Sequence, residues 1–225
     1  MRTEQRRIAV GDGSVGAVWA IPSRWRAGEG SAVVIAHGAG NDMQAPFISA
    51  LHAGFAAHGL LSIKFNFPYK ERGGKAPDRA PVLEAAWRAV IAAVRQDPLA
   101  PARVFLAGKS MGGRMASHVA AQGEHCDGLV FFGYPLHPAR QPEKLRAAHL
   151  PAVRCPMLFI QGTRDPLCDL ARLRDALVPV RAAHTVHVID GADHSFKLLR
   201  RSGRGMEDVM QEIVATTVAW MNAST

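Results

Sequence analysis

The stretch Arg103-Val104-Phe105-Leu106-Ala107-Gly108-Lys109-Ser110-Met111-Gly112-Gly113 holds the strongest local signal in the chain. Its first five residues form a short β-rich apolar run, and Met115, Ala116 and Val119 follow at helical spacing. The spacing predicts a strand, a tight turn and a helix, with G-x-S-x-G at the turn. Such a turn thrusts the Ser110 hydroxyl out of a sheet edge. Gly108 and Gly112 keep side chains away where backbone segments crowd together.

Outward from this point, short apolar runs alternate with longer helical stretches. Strands are expected near 5–10, 15–21, 32–37, 60–65, 103–107, 128–132, 156–161 and 184–189. Phe47, Ile48, Leu51 and Phe55 mark a helix that stops at Gly59; Val82, Ala86, Val90 and Val94 mark another, and Val209, Ile213, Val214, Thr217 and Trp220 a last one. After an opening hairpin, strand and helix alternate. The expected fold is therefore α/β: a mostly parallel eight-stranded sheet with helices on both faces, in a single domain over residues 1–225. No internal repeat or linker interrupts it.

In such a sheet the ligand crevice lies outside the carboxyl ends of the strands. A serine hydroxyl there needs a base within hydrogen-bond reach, itself held by a third group. Gly162-Thr163-Arg164-Asp165-Pro166 follows the seventh strand, and Asp190-Gly191-Ala192-Asp193-His194-Ser195-Phe196 follows the eighth. The candidates in chain order are Ser110, Asp165 and His194. Asp193 adjoins His194, but neighbouring loop side chains usually diverge; Asp190 reads as a turn residue and Asp169 as the cap of a helix carrying Leu173 and Leu177.

These residues, with Asn66-Phe67-Pro68-Tyr69 and Gly133-Tyr134-Pro135-Leu136-His137-Pro138, make the chain resemble a small α/β-hydrolase of the dienelactone-hydrolase-like kind. The resemblance runs from about residue 5 to residue 221 and is stronger still to a branch that includes the hydrolase-like domain of a chromatin acetyltransferase-complex subunit. Dienelactone hydrolases carry cysteine at the nucleophile, where this chain has Ser110. The resemblance implies that His37-Gly38-Ala39-Gly40 is the family's His-Gly turn, so that the N–H groups of Ala39 and Met111 form an oxyanion hole. The His37 side chain itself is expected to be structural.

Only 22 residues, 134–155, separate the sixth and seventh strands, part of them a connecting helix around Pro142–Ala148. A minimal lid and a shallow site suit a small acyl compound. Asn66, Tyr69, Arg72, Tyr134 and His137 are the expected substrate-binding side chains. The loop 66–79 carries a net charge of +2, so the acyl substrate can be anionic. The expected activity is that of a serine hydrolase acting on a small ester, thioester or lactone, with no metal or organic cofactor. The alternative is a non-catalytic interaction module that keeps the hydrolase scaffold.

Composition excludes little else. The chain has 27 Lys+Arg against 19 Asp+Glu, a formal +8, which favours anionic partners. Lys197, Arg200, Arg201 and Arg204 cluster without an acid, but no nucleic-acid motif surrounds them, and nucleic acid is not an expected partner. Cys126, Cys155 and Cys168 show no C-x-x-C spacing, and no apolar run approaches a membrane span, so a cytoplasmic location is expected. Gly11-Asp12-Gly13-Ser14-Val15-Gly16 fits G-x-G-x-x-G but precedes a strand, and reads as a hairpin turn. His184 and His187 fall on opposite strand faces, and His52, His58, His118 and His125 read as surface residues.

Overall fold

The computed structural model describes residues 1–199 and 202–224. Arg200 and Arg201 of the basic cluster lie outside the described residues.

Eight strands form one sheet: β1 (Arg2–Val10), β2 (Gly13–Ile21), β3 (Ser31–Ala36), β4 (Leu61–Phe65), β5 (Arg103–Lys109), β6 (Gly128–Phe132), β7 (Met157–Gly162) and β8 (His184–Ile189). Their spatial order is β1-β2-β4-β3-β5-β6-β7-β8. β2 runs antiparallel to both its neighbours, and every pairing from β4 to β8 is parallel. The Gly11-Asp12 turn joins β1 to β2 as a hairpin, with Val10 opposite Gly13. The chain therefore has the mostly parallel eight-stranded α/β architecture anticipated from its alternating pattern.

The strict period of two divides each central strand between two cores. In β5, Val104 and Leu106 face one layer, while Phe105 and Ala107 face the other. The first layer is closed by α3 (Ala80–Arg95), α4 (Met111–Ala121) and α5 (Leu170–Leu177), through Trp87, Val90, Met115, Val119 and Leu173. The second is closed by α1 (Pro46–Ala57) and α6 (Met206–Ala223), through Ile48, Leu51, Phe55, Val209 and Ile213. Asp169 caps α5 as anticipated, its Oδ1 accepting from the Arg172 N–H at 2.9 Å.

Three expectations require correction, and one short helix goes beyond them. Val82 points outward, and the inner stripe of α3 begins at Leu83. No helix occupies Pro142–Ala148; the connection is a series of turns ending in a 3₁₀ turn, Leu150–Ala152. Its apolar residues are too few to bury a helical face, and backbone bonds to loop partners take the place of a ladder: Arg146 N–H donates to Leu136 O at 2.7 Å. A four-residue helix, α2 (Pro68–Glu71), was not apparent from periodicity because one turn has none. His52 is buried, sharing the inner stripe of α1 with Ile48, Leu51 and Phe55, and bonds Ser62 Oγ at 3.0 Å.

The structure also joins two cysteines that sequence left scattered. Cys126 and Cys155 precede the adjacent strands β6 and β7, and their sulfurs lie 3.2 Å apart as thiols. The shared hydrogen bond pushes the Cys126 thiol up and draws Cys155 down, while burial pushes Cys168 up. Since the thiolate reacts, iodoacetamide is expected to label Cys155 before the other two, read by peptide mass spectrometry. Equal labelling of all three would contradict the pairing.

Burial holds His37, His52 and His149 neutral, each pushed down to about 4, with nearby cations assisting (Lys70 at His37, Lys64 at His52, His118 and Arg114 at His149). Unfolded, these rings titrate near 6.5. Between those values the unfolded chain binds protons that the native chain does not, so stability present above pH 6.5 falls as pH drops toward 4. Denaturant melts should show up to about three protons taken up on unfolding near pH 5. His52→Gln should flatten that slope by about one proton; an unchanged slope assigns the loss to other groups.

Candidate active site

The turn between β5 and α4 is built by steric necessity. A Cβ on Gly108 would come 2.2 Å from the nitrogen of Gly113, so only glycine admits the close crossing of strand end and helix start. Ser110 takes φ 50° and ψ −116°, a region that costs a non-glycine residue of order 1–3 kcal/mol and persists only where surroundings enforce it. Here the Ser110 N–H donates to Phe132 O at 3.1 Å, prolonging the β5–β6 pairing, and Ser110 O accepts from the Arg114 N–H at 3.1 Å. The hydroxyl is thereby held above the helix N-terminus, at the carboxyl rim of the sheet.

Two distant loops meet it. His194 Nε2 lies 2.9 Å from Ser110 Oγ, and His194 Nδ1 lies 2.7 Å from Asp165 Oδ2. A carboxylate can only accept, so Nδ1 carries the proton and Nε2 is free to accept from the serine hydroxyl. The Asp165 side chain is fully buried, while His194 stays partly open to solvent. The structure thus brings together all three residues singled out at strand ends.

Each loop is pinned by its own bonds. Asp165 Oδ1 accepts from the Leu167 N–H at 2.8 Å, and Oδ2 also accepts from Gln161 Nε2 at 2.6 Å. Gln161, wholly buried at the end of β7, accepts in turn from the Tyr134 N–H at 2.9 Å. The rival acids are occupied elsewhere. Asp193 Oδ1 accepts from the N–H groups of Ser195 and Lys197, closing the His194 loop on itself, and Asp190 bonds Thr163 Oγ1. Phe196, at φ 61°, buries its ring against Phe47 in a stacked pair 5.5 Å apart, anchoring the same loop to α1.

The Ala39 turn and Met111 both border Ser110 on the wall of one cavity. Among the described residues neither N–H donates to a protein acceptor. The His37 ring is structural, as expected: Nδ1 lies 2.9 Å from Gly38 O and Nε2 accepts from the Phe67 N–H at 3.2 Å.

The cavity measures about 320 Å³ and is lined by Ala39, Ser110 and Met111 with residues of α3, α4 and the loops that follow β4, β6 and β7. None of the five anticipated substrate-binding residues is among its lining. Asn66 is spent between the Met43 N–H and Glu71. Tyr69 and Tyr134 are buried, Tyr134 OH donating to Arg146 O. Arg72 pairs with Asp78, and His137 Nε2 accepts from the Asp169 N–H. Loop membership placed them near the rim, but their polar atoms are taken up by partners within the loops, backbone for Tyr69, Tyr134 and His137 and carboxylates for Arg72 and, in part, Asn66. The charged residues that do line it are Asp78, Arg114 and Arg146. Arg114 could have been found, since it lies one helical turn beyond Ser110; Arg146 had no local signal. A larger open groove of about 1010 Å³ sits at the opposite ends of β6 and β7, beside Cys126 and Cys155, far in sequence and sheet position from Ser110.

Lys109, beside the serine, is half-buried, and its ammonium is shut off from solvent with no hydrogen-bond partner among the described residues. Burial pushes it down to about 8, against the pull of Asp165 and Asp193. Gly133 (φ 68°) makes room for it: a Cβ there would lie 3.1 Å from Lys109 Nζ, 3.4 Å from His194 Nδ1 and 3.5 Å from Asp165 Oδ2.

Residues 29–222 match the family described as Alpha/beta hydrolase domain. The chain belongs to that family. Solved structures repeat its fold over nearly the whole length. A dienelactone hydrolase from Anabaena variabilis shares 21% identity, with 95% of each chain covered and a TM-score of 0.74. A Xanthomonas campestris protein, described as an α/β serine hydrolase without lid, shares 18% over 98% of this chain and 95% of that one, at 0.73. Est1E of Butyrivibrio proteoclasticus, with ferulic acid bound, shares 14% over 95% of this chain and 98% of that one, at 0.75. Between β6 and β7 this family member has turns and the single 3₁₀ turn Leu150–Ala152. Among its described residues no helix is long and apolar enough to cross a membrane.

Proposed function

We propose that this protein is a serine hydrolase that cleaves a small ester, thioester or lactone through an acyl-enzyme on Ser110. The hydrogen-bonded row from Asp165 through His194 to Ser110, at 2.7 and 2.9 Å, carries this reading. Ser110 Oγ attacks the acyl carbonyl carbon as His194 Nε2 takes its proton, and Asp165 holds the imidazole in the required tautomer. The N–H groups of Ala39 and Met111 donate to the oxyanion, each worth about 10² to 10³ in rate. His194 then protonates the leaving group. Water, deprotonated by the same imidazole, attacks the acyl-enzyme and releases the acid. The cavity volume of about 320 Å³ supports a compact acyl compound.

Purified protein should hydrolyse short-chain p-nitrophenyl esters and gain one fluorophosphonate adduct on the peptide carrying Ser110. Absence of both, with thioesters and lactones also untouched, would favour the interaction-module reading instead.

A further inference from the structure

We propose that Arg114 and Arg146 form an anion-recognition subsite beside Ser110, so that the natural acyl substrate carries a carboxylate. This rests on Ser110 being the nucleophile. Both arginines line the same cavity as the Ser110 hydroxyl, yet they come from different elements, α4 and the loop after β6. Among the described residues neither guanidinium has a carboxylate partner within 4.0 Å. Arg114 is half-buried, and its Nε is shut off from solvent with no acceptor. Buried donors are almost always satisfied, so an orphan guanidinium nitrogen marks a place where an acceptor belongs.

Two like charges are also held close enough to oppose each other: the Arg146 cation depresses the basicity of Arg114, which burial lowers first. Folding has not relieved this with a side chain. Asp78 lines the cavity too: its Oδ1 is bonded to Arg72 at 2.5 Å, and its Oδ2 is buried without a hydrogen-bond partner, yet among the described residues it pairs with neither Arg114 nor Arg146. The backbones that carry both arginines are fixed. Arg114 N–H donates to Ser110 O, and the Arg146 backbone is clamped on both sides, its N–H to Leu136 O and its carbonyl to Tyr134 OH, each at 2.7 Å. Leu83, Met115 and Leu167 supply the remaining apolar wall. A short carbon chain with a carbonyl at one end and a carboxylate at the other matches this lining, which holds the serine and oxyanion residues together with two arginines.

Paired substrates test it. The rate kcat/KM is measured for 4-acetoxybenzoate against phenyl acetate, which places the charge on the leaving group. Monomethyl adipate against methyl hexanoate places it on the acyl chain. Glutarate binding to Ser110→Ala protein is measured in parallel by calorimetry. In at least one pair the anionic member should be preferred by about tenfold to a hundredfold, the scale of one charge-assisted bond. Arg114→Met and Arg146→Met should each collapse that preference and weaken glutarate binding at least tenfold, while Arg114→Lys retains part of both. No anionic preference in either pair, or a preference that both Met variants keep, would overturn the subsite even if neutral esters are turned over through Ser110. Glutarate binding that depends on both arginines, in a protein that hydrolyses no ester, would uphold the subsite and remove the hydrolase reading.

Discussion

Ser110→Ala is expected to lower kcat/KM for any ester substrate by about 10⁴- to 10⁶-fold and to abolish fluorophosphonate labelling. The variant loses the only atom able to form the acyl-enzyme, while the Ala39 and Met111 donors and the cavity walls remain, so a residual rate of about 10³ over water can persist. Its folding should be nearly unchanged. The hydroxyl's one side-chain bond is to His194, and alanine meets the same backbone strain at φ 50°. Thermal melts within about 1 kcal/mol of wild type would separate chemical loss from unfolding. Turnover or labelling that survives the substitution would end the assignment of Ser110.

Asp165→Asn should cost about 10⁴ in kcat with little change in KM, since the residue does not line the cavity. The reason is local. Asp165 Oδ1 accepts from the Leu167 N–H, so an asparagine keeps its carbonyl there and turns its NH₂ toward the place of Oδ2. That NH₂ then faces two donors, Gln161 Nε2 and His194 Nδ1. Gln161 cannot turn its oxygen to help, because that oxygen holds the Tyr134 N–H. His194 is driven to the tautomer protonated at Nε2, which cannot take a proton from Ser110. A pre-steady-state burst should disappear along with kcat, showing that acylation is the slowed step. A loss below tenfold would mean that the imidazole is oriented by something else.

The elements that sequence revealed most fully are those whose cause lies within a few residues. All eight strands fall within a few residues of their expected bounds, because alternation of Val, Ile, Phe and Leu on a pleated strand is a local property. The sharp turn at Ser110 was legible for the same reason: the crowding at Gly108 involves Gly112 and Gly113, four and five positions away. Where a reading depended on more distant atoms it did less well. His52 reads as a surface residue even though it sits between Leu51 and Phe55 on the inner stripe, because a histidine goes inside only when a partner such as Ser62 is there to receive it. The helix expected at Pro142–Ala148 is absent: of the segment's apolar residues Ala147 is buried, while Leu145 is exposed.

The substrate-facing residues show the limit most clearly. Tyr134 and His137 do lie beside the rim, but the polar atoms of each hold a loop in place, and Tyr134 instead secures the backbone of Arg146. Sequence alone determined the sheet, its layers, the strained serine and the chain order of serine, acid and histidine. These follow from side-chain volume and backbone sterics acting over one turn or one strand. Which cations line the cavity, and which expected side chains turn away from it, only tertiary structure decided. Those outcomes depend on the angles at which loops separated by 29 to 84 residues converge, and no short-range rule encodes that convergence.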